Sequence, residues 1–334
     1  MSASNGTSGP VIVGIGEALF DQIPGNGAHL GGAPLNFAVH AKQMLAARPS
    51  LGGRSVLVSR VGNDELGARL RTALQGFGVE TAALQTDPDR ATGIVDVRIG
   101  QGGPHYRIRD ESAWDGIAFT EQLDTLSRSF DAACFGTLAR RRAASASTIE
   151  QFVRNGVDRD AVRMYDINLR PGAMDHDVIV RGLELASIAK MNDEELPVVA
   201  DMIGATPGDE AHRATAIIRA FDLKQVMLTR GARGVIVYAF DGTYEGAPAK
   251  ADLSSASDAV GAGDSCGAAY VVRTLCGDDP YTAASVANRV GAYVASRSGA
   301  TPSLPSHILG EHPAASVGTS SPIVPAATCM PFPG

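Results

Sequence analysis

Cysteine is scarce in this chain and scattered. Its four residues (Cys134, Cys266, Cys276, Cys329) lie far apart with no C-x-x-C pair. They fit neither a zinc site nor a disulfide framework and point to a reducing compartment. A basic excess is also missing. The net charge is −7 and Lys and Arg are scattered without a stripe, which excludes a nucleic-acid partner. A polyanionic ligand must then be handled by local groups. No run approaches the roughly 20 apolar residues of a membrane helix, and Met1–Pro10 carries no Lys or Arg of the kind a signal peptide starts with. A cytoplasmic protein with no membrane partner is expected. The sequon Asn5-Gly6-Thr7 is then a chance match. There is no Walker A sequence, no internal repeat, and no G-x-G-x-x-G after the first apolar run, where Gly14-Ile15-Gly16 leads into Glu17-Ala18-Leu19.

What remains is ordinary globular material, 44% hydrophobic and 19% charged over 334 residues, ample for a large core. The run Val11–Gly16 is continuously apolar, as a strand covered on both faces should be. Similar runs recur at Ser55–Arg60, Ala132–Phe135, Val162–Asp166, Gln225–Thr229 and Val235–Tyr238. Helical stretches intervene at Pro34–Leu45, Glu65–Phe77, Ala144–Asn155, Asp177–Ala189, Ala211–Phe221 and Tyr281–Ser296. This alternation predicts an α/β layered domain with a mostly parallel central sheet. Thr92–Arg109 breaks the rhythm, alternating across a Gly100–Pro104 turn like an antiparallel hairpin. With Phe20–Leu30 it predicts a small separate sheet covering one edge of the main domain, either a lid, the favoured reading, or an edge extension of the main sheet. The domain is expected over 11–309, with lid segments at about 20–32 and 92–112 and disordered tails at 1–10 and 310–334.

The most informative stretch is Asp258-Ala259-Val260-Gly261-Ala262-Gly263-Asp264. A glycine turn feeding a helix aims free N–H groups and the positive helix end at one point, which suits phosphate. A carboxylate there is a poor phosphate ligand and a good base for an attacking hydroxyl. A capping aspartate would look the same. Gly31-Gly32-Ala33-Pro34-Leu35-Asn36 opens the first long helix, and Asn36 lies one turn in. Asp21 follows the first strand, where open α/β sheets place ligands. Asp166-x-Asn168-x-Arg170 puts three polar groups on one side of an extended segment. Asn192-Asp193-Glu194-Glu195 spaces an Asn and a Glu to hold hydrated Mg2+, or simply starts a helix. Leu228-Thr229-Arg230-Gly231-Ala232-Arg233-Gly234 offers hydroxyl and N–H groups to nucleotide phosphates.

The order and spacing of Gly31-Gly32…Asn36, Asn192…Glu195, Thr229-x-Gly231-x-x-Gly234 and Gly261-Ala262-Gly263-Asp264 resemble the ribokinase-like (PfkB-type) carbohydrate kinases, from about Gly14 to Pro305. Gly16-Glu17-Ala18-Leu19-x-Asp21, Ser59-Arg60-Val61-Gly62-x-Asp64-x-x-Gly67, Ala113-Trp114-Asp115 and Asp166-x-Asn168-Leu169-Arg170 are similar to the bacterial fructokinases within that family. The resemblance implies a three-layer α/β/α fold with a β-sheet lid, and ATP-dependent phosphorylation of D-fructose to fructose 6-phosphate. The alternatives are another acceptor, such as 2-keto-3-deoxygluconate or tagatose, and a non-catalytic sugar- or nucleotide-binding protein.

Residue by residue, the resemblance makes Asp264 the base, and Gly261, Ala262 and Gly263 the N–H donors to the transferred phosphoryl group. Asp21, Gly32 and Asn36 would bind sugar hydroxyls, Arg107 or Arg109 would close over them, and Arg170 would join the substrate site. Asn192 and Glu195 would organise Mg2+ through water. Thr229, Gly231 and Gly234, with Asn168, would cradle ATP, and Asn288 would flank its adenine. Asp258 and Val260, with the Ser298–Ser303 loop, correspond to a K+ site in some relatives. Ala259 and Cys266 depart from the family's usual Thr and Phe without removing a group the reaction needs. Ala33 stands where ribokinases carry Lys, which argues against ribose. A homodimer through the lid is a further expectation.

Overall fold

A computed structural model describes residues 9–23, 27–100, 103–170, 175–254 and 257–309. The predicted tails, apart from Gly9 and Pro10, lie outside the described residues, as does part of the hairpin turn. The first half of the chain runs β1 (Val11–Ile15), β2 (Leu19–Ile23), β3 (Gly27–Gly31), α1 (Ala33–Ala46), β4 (Arg54–Gly62), α2 (Glu65–Phe77), β5 (Leu84–Asp87), β6 (Gly93–Gly100), β7 (Gly103–Ile108), α3 (Glu121–Ser127), β8 (Ala132–Gly136) and α4 (Ala143–Arg154). The second half adds β9 (Val162–Asp166), α5 (His176–Leu185), β10 (Ile188–Asn192), α6 (Glu195–Met202), α7 (Glu210–Phe221), β11 (Gln225–Thr229), β12 (Val235–Ala239), β13 (Gly242–Glu245), α8 (Ala262–Leu275), α9 (Pro280–Ala295) and the single turn α10 (Ser306–Leu309).

Nine strands form the main sheet in the order β13-β12-β11-β10-β9-β8-β1-β4-β5. It is parallel from β5 to β11, and β12 and β13 close one edge antiparallel. Its apolar runs are continuous because both faces are covered. Val13, Ile15, Val58, Phe135, Tyr165 and Leu228 point to one core, with Ile149, Phe152, Ile179, Leu183 and Ile217 of the helices on that side. The alternate residues Ile12, Cys134, Met164, Met227 and Val237 meet α1, α8 and α9 on the other. This is the three-layer arrangement expected from the alternation of elements.

The second sheet, β3-β2-β6-β7, stands apart as expected. Its register puts Asp21 beside Val95 and Val95 beside Ile108, so these share a face with Leu19. Two sequence expectations need correction. The helix predicted over Asp177–Ala189 stops at Leu185, because Ile188–Asn192 is an inner strand between β9 and β11. The short strands β5 and β13 were not foreseen. They sit at the sheet's two edges, where one-sided pairing leaves only a weak periodic signal.

The candidate active site

From β1 the chain builds outward to β4 and β5, then returns to place β8 on the other side of β1. Open α/β sheets leave a crevice at such a reversal, outside the carboxyl ends of the strands. The cleft found there is lined by Glu17 after β1, Ala33 and Pro34 of α1, Cys134 to Leu138 at the end of β8, and Asp166 and Asn168 at the end of β9.

Helix α8 points its first turn at this region. Gly261 precedes it at φ 78°, a left-handed conformation that glycine adopts without strain. The Ser265 N–H closes the helix on the Gly261 carbonyl at 2.8 Å. The N–H groups of Gly263 and Asp264 fall in the first turn, where a helix leaves donors without internal partners. The N–H of Ala262, expected to donate along with those of Gly261 and Gly263, is turned back onto the Ala259 carbonyl at 3.3 Å.

The turn is braced from behind. A Cβ on Gly261 would stand 2.2 Å from the Ala300 carbonyl oxygen. That same oxygen accepts from His40 Nε2 at 2.9 Å, so Nε2 carries the ring proton. Burial lowers the His40 pKa to about 4, and the ring stays neutral. Gln43 holds the following residues through the Pro302 carbonyl and the Leu304 N–H. Gly261→Ala should therefore destabilise the protein by roughly 1–3 kcal/mol through strain at this backbone and misaim the α8 donors. Thermal unfolding followed by circular dichroism measures the first effect, and a loss of turnover at saturating substrate the second.

Around the helix start sits a cluster of charge. Asn36 Nδ2 donates to Asp264 Oδ2 at 2.8 Å, bridging α1 and α8 across 228 residues of chain. Asp166 Oδ2 accepts from Lys190 Nζ at 2.8 Å, with both side chains less than a tenth exposed. Asp264 has its pKa raised to about 6, first by desolvation and then by the Asp166 charge, against the opposing pull of Lys190, Asn36 and Arg170. Desolvation likewise raises the Glu17 carboxyl to about 7. Asp21, partly buried on β2, is raised by desolvation and pulled down by Arg170 and His29. Exposed Arg170 thus stands within electrostatic reach of Asp21, Glu17 and Asp264 together. Gly32 caps α1 at φ 110°, where a Cβ would lie 2.5 Å from the Glu17 carbonyl oxygen.

The remaining predicted residues divide. Asn168, at the unusual φ of 39°, lines the cleft. Asn192 and Glu195 form a reciprocal cap: Asn192 Oδ1 accepts from the Glu195 N–H and Glu195 Oε2 from the Asn192 N–H, both at 2.8 Å. Glu195 Oε1 also takes the Leu169 N–H at 2.6 Å, tying the segment after β9 to α6. Thr229 lies beside Asn192 in the parallel ladder, and Gly231 and Gly234 frame the short turn leading to β12. Asn288 is buried and fully engaged, accepting from the Val235 N–H and donating to the Gly246 and Ala247 carbonyls. Its amide shapes that wall rather than facing a ligand. Asp258 bridges two loops through the Val260 and Gly299 N–H groups.

Arg107 and Arg109 do not join the site. Arg107 pairs across the ladder with Asp96, and Arg109 forms a salt bridge to the same Asp96 at 2.7 Å. That face is opposite the one carrying Asp21, because side chains alternate along a strand.

Lys190 was missed in the sequence, and Asp166 was seen only as part of its segment. The available signal was a lysine inside an apolar inner strand, which demands a buried partner.

Residues 22–307 match the profile described as pfkB family carbohydrate kinase. The chain belongs to that family. Fructokinase-2 of Solanum habrochaites is 28% identical over 339 residues, spanning 91% of this chain and 96% of that protein. A 2-dehydro-3-deoxygluconokinase of Thermoproteus tenax is 25% identical over 291 residues, 83% of either chain. A sugar kinase of Pyrococcus horikoshii is 27% identical over 202 residues, 56% of this chain and 63% of that protein. Among solved structures, a Xylella fastidiosa fructokinase with bound ATP superposes with a TM-score of 0.77 at 21% identity, covering 90% of this chain and 97% of that one. That likeness concerns the ribokinase-like fold. Within it, no group of three or more His, Cys, Asp or Glu side chains among the described residues is arranged to hold a metal ion directly. Among the described residues no helix is long and apolar enough to cross a membrane.

Proposed function

We propose that this carbohydrate kinase transfers the γ-phosphoryl group of ATP to a primary hydroxyl of a sugar, with D-fructose as acceptor and fructose 6-phosphate as product. The observation carrying the reading is the Asn36–Asp264 pair at the mouth of α8, a partly desolvated carboxylate held beside free helix N–H groups. Asp264 takes the proton from the attacking hydroxyl, and the Gly263 and Asp264 N–H groups stabilise the charge that grows on the transferred group. The turnover then rests on positioning and charge stabilisation. The small sheet, which carries Asp21, serves as a lid whose closure excludes water and so suppresses ATP hydrolysis. ATP lies along Thr229, Gly231 and Gly234 toward α8.

Glu195 fits a water-mediated Mg2+, since each of its oxygens holds one backbone N–H and keeps a lone pair for a bridging water. When bound, that ion neutralises phosphate charge. A K+ ion would draw on the Asp258 and Val260 backbone, since the Ala259 carbonyl already accepts from the Ala262 N–H. A homodimer through the lid would meet the polar face carrying Asp96, Arg107 and Arg109.

Fructose is favoured over an acid sugar by the charge of the cleft. Glu17, Asp21, Asp166 and Asp264 surround the acceptor, and Lys190 is already paired with Asp166. An acceptor carboxylate would add repulsion that Arg170 alone must offset. An ADP-release assay with fructose, tagatose, ribose and 2-keto-3-deoxygluconate tests this, with fructose expected to give the highest kcat/KM. Preference for the acid sugar would overturn fructose, and phosphorylation of none would favour a binding protein.

A further inference from the structure

We propose that Glu17 is an acceptor-binding residue whose free Oε2 takes a hydrogen bond from a sugar hydroxyl in the cleft. The proposal rests on the kinase reading above and adds to it a residue so far without a role. Glu17 is 2% exposed, yet its Oε2 is buried without a partner. The backbone N–H groups of Glu17 and of Ala33, at the start of α1, favour the ionised carboxyl against its burial. The free oxygen belongs to a side chain lining the crevice between β1 and β8.

Other buried carboxylates show what a purely structural one looks like. Asp87 accepts from the Asp89 and Arg90 N–H groups and pairs with Arg60. Asp115 accepts from Ser112 and Arg141. Among the described residues, Glu17 is alone in having a buried carboxylate oxygen with no donor. An unpaired buried acceptor is unfavourable until something donates to it. Neighbouring protein charge does not fill that need, since Asp264 repels it and Arg170 acts from the exposed rim. A neutral sugar hydroxyl is a donor of the right size, and carries no charge to add to the cluster.

The test compares wild type, Glu17→Met and Glu17→Gln for acceptor KM, ATP KM, kcat and thermal unfolding, using fructose and its single-deoxy analogues. Glu17→Met keeps the length of the side chain without its carboxylate, leaving only a weakly accepting sulfur, and should raise the fructose KM about ten- to hundred-fold, the loss of one hydrogen bond to a charged group. ATP KM should stay within two-fold. One deoxy analogue should be penalised in wild type and no worse than fructose in Glu17→Met. Glu17→Gln, which retains one side-chain oxygen and carries the comparison should the Met variant fail to fold, should show a smaller rise of the same kind. An unchanged fructose KM in the folded variants, or equal losses for fructose, ATP and every analogue, overturns the role of Glu17 while wild-type turnover keeps the kinase reading. A wild type that phosphorylates no sugar overturns both.

Discussion

Asp264→Asn should lower kcat by roughly 10²–10⁴-fold, the range of positioned general-base catalysis, while leaving acceptor KM within a few-fold. The variant keeps an oxygen for Asn36 Nδ2 to approach, so the contact that orients the residue across α1 and α8 survives. What disappears is the base. Wild-type kcat should fall as pH drops through about 6, the value to which desolvation and Asp166 raise Asp264. The same shift has a consequence for stability. A carboxyl whose folded pKa lies above its unfolded value binds its proton more tightly when folded, so ionising it costs stability. The cost is full above about pH 6 and vanishes below about pH 4, where both states are protonated. Asp264→Asn should accordingly melt higher than wild type at pH 7–8, by on the order of 1 kcal/mol, with the gain shrinking toward pH 4. A coupled ADP-release assay and thermal melts across pH measure both effects. Near-normal turnover of the variant would remove Asp264 from the chemistry.

Lys190→Met should give the largest loss of stability, about 3–5 kcal/mol, seen as a fall in Tm of roughly 10 °C. Burial favours the neutral amine, but Asp166 and Asp264 outweigh it and hold the Lys190 pKa above its ordinary value. Its stabilising contribution is therefore present throughout the neutral range and is lost only as pH rises past the folded pKa. Removing the ammonium leaves Asp166 buried beside Asp264 and without its partner. Adding Asp166→Asn to Lys190→Met should recover part of the loss, and a double-mutant cycle in urea measures the coupling. Lys190→Met should also push the acid limb of any remaining activity to higher pH, because Lys190 lowers the Asp264 pKa. A variant within 1 kcal/mol of wild type would show that the pair is not the anchor of the site.

Much of this was readable from residue order, for a local reason. Continuous apolar runs alternating with helical stretches specify strands covered on both faces, so the layered sheet and its two cores follow from the chain. The Gly261–Asp264 turn announces itself because a glycine before a helix and an acid at its third position are features of neighbouring residues. The separate small sheet was visible in the change of period at Thr92–Arg109.

Folding settled matters that depend on what lies far away in sequence. The face on which Arg107 lies is set by ladder register, which pairs it with Asp96, and Arg109 bridges to the same Asp96 rather than to the cleft. Asn192 and Glu195 looked like metal-organising groups and proved also to be each other's caps, a reciprocal geometry that spacing permits without requiring. Asn288 is consumed by backbone 41 to 53 residues distant. Lys190 and Glu17 are ordinary letters until Asp166, Asp264 and the start of α1 surround them, because desolvation and charge coupling arise only from packing. Composition and periodicity thus specify which elements form. Which side chains meet, and with what proton affinity, follows from contacts between distant segments.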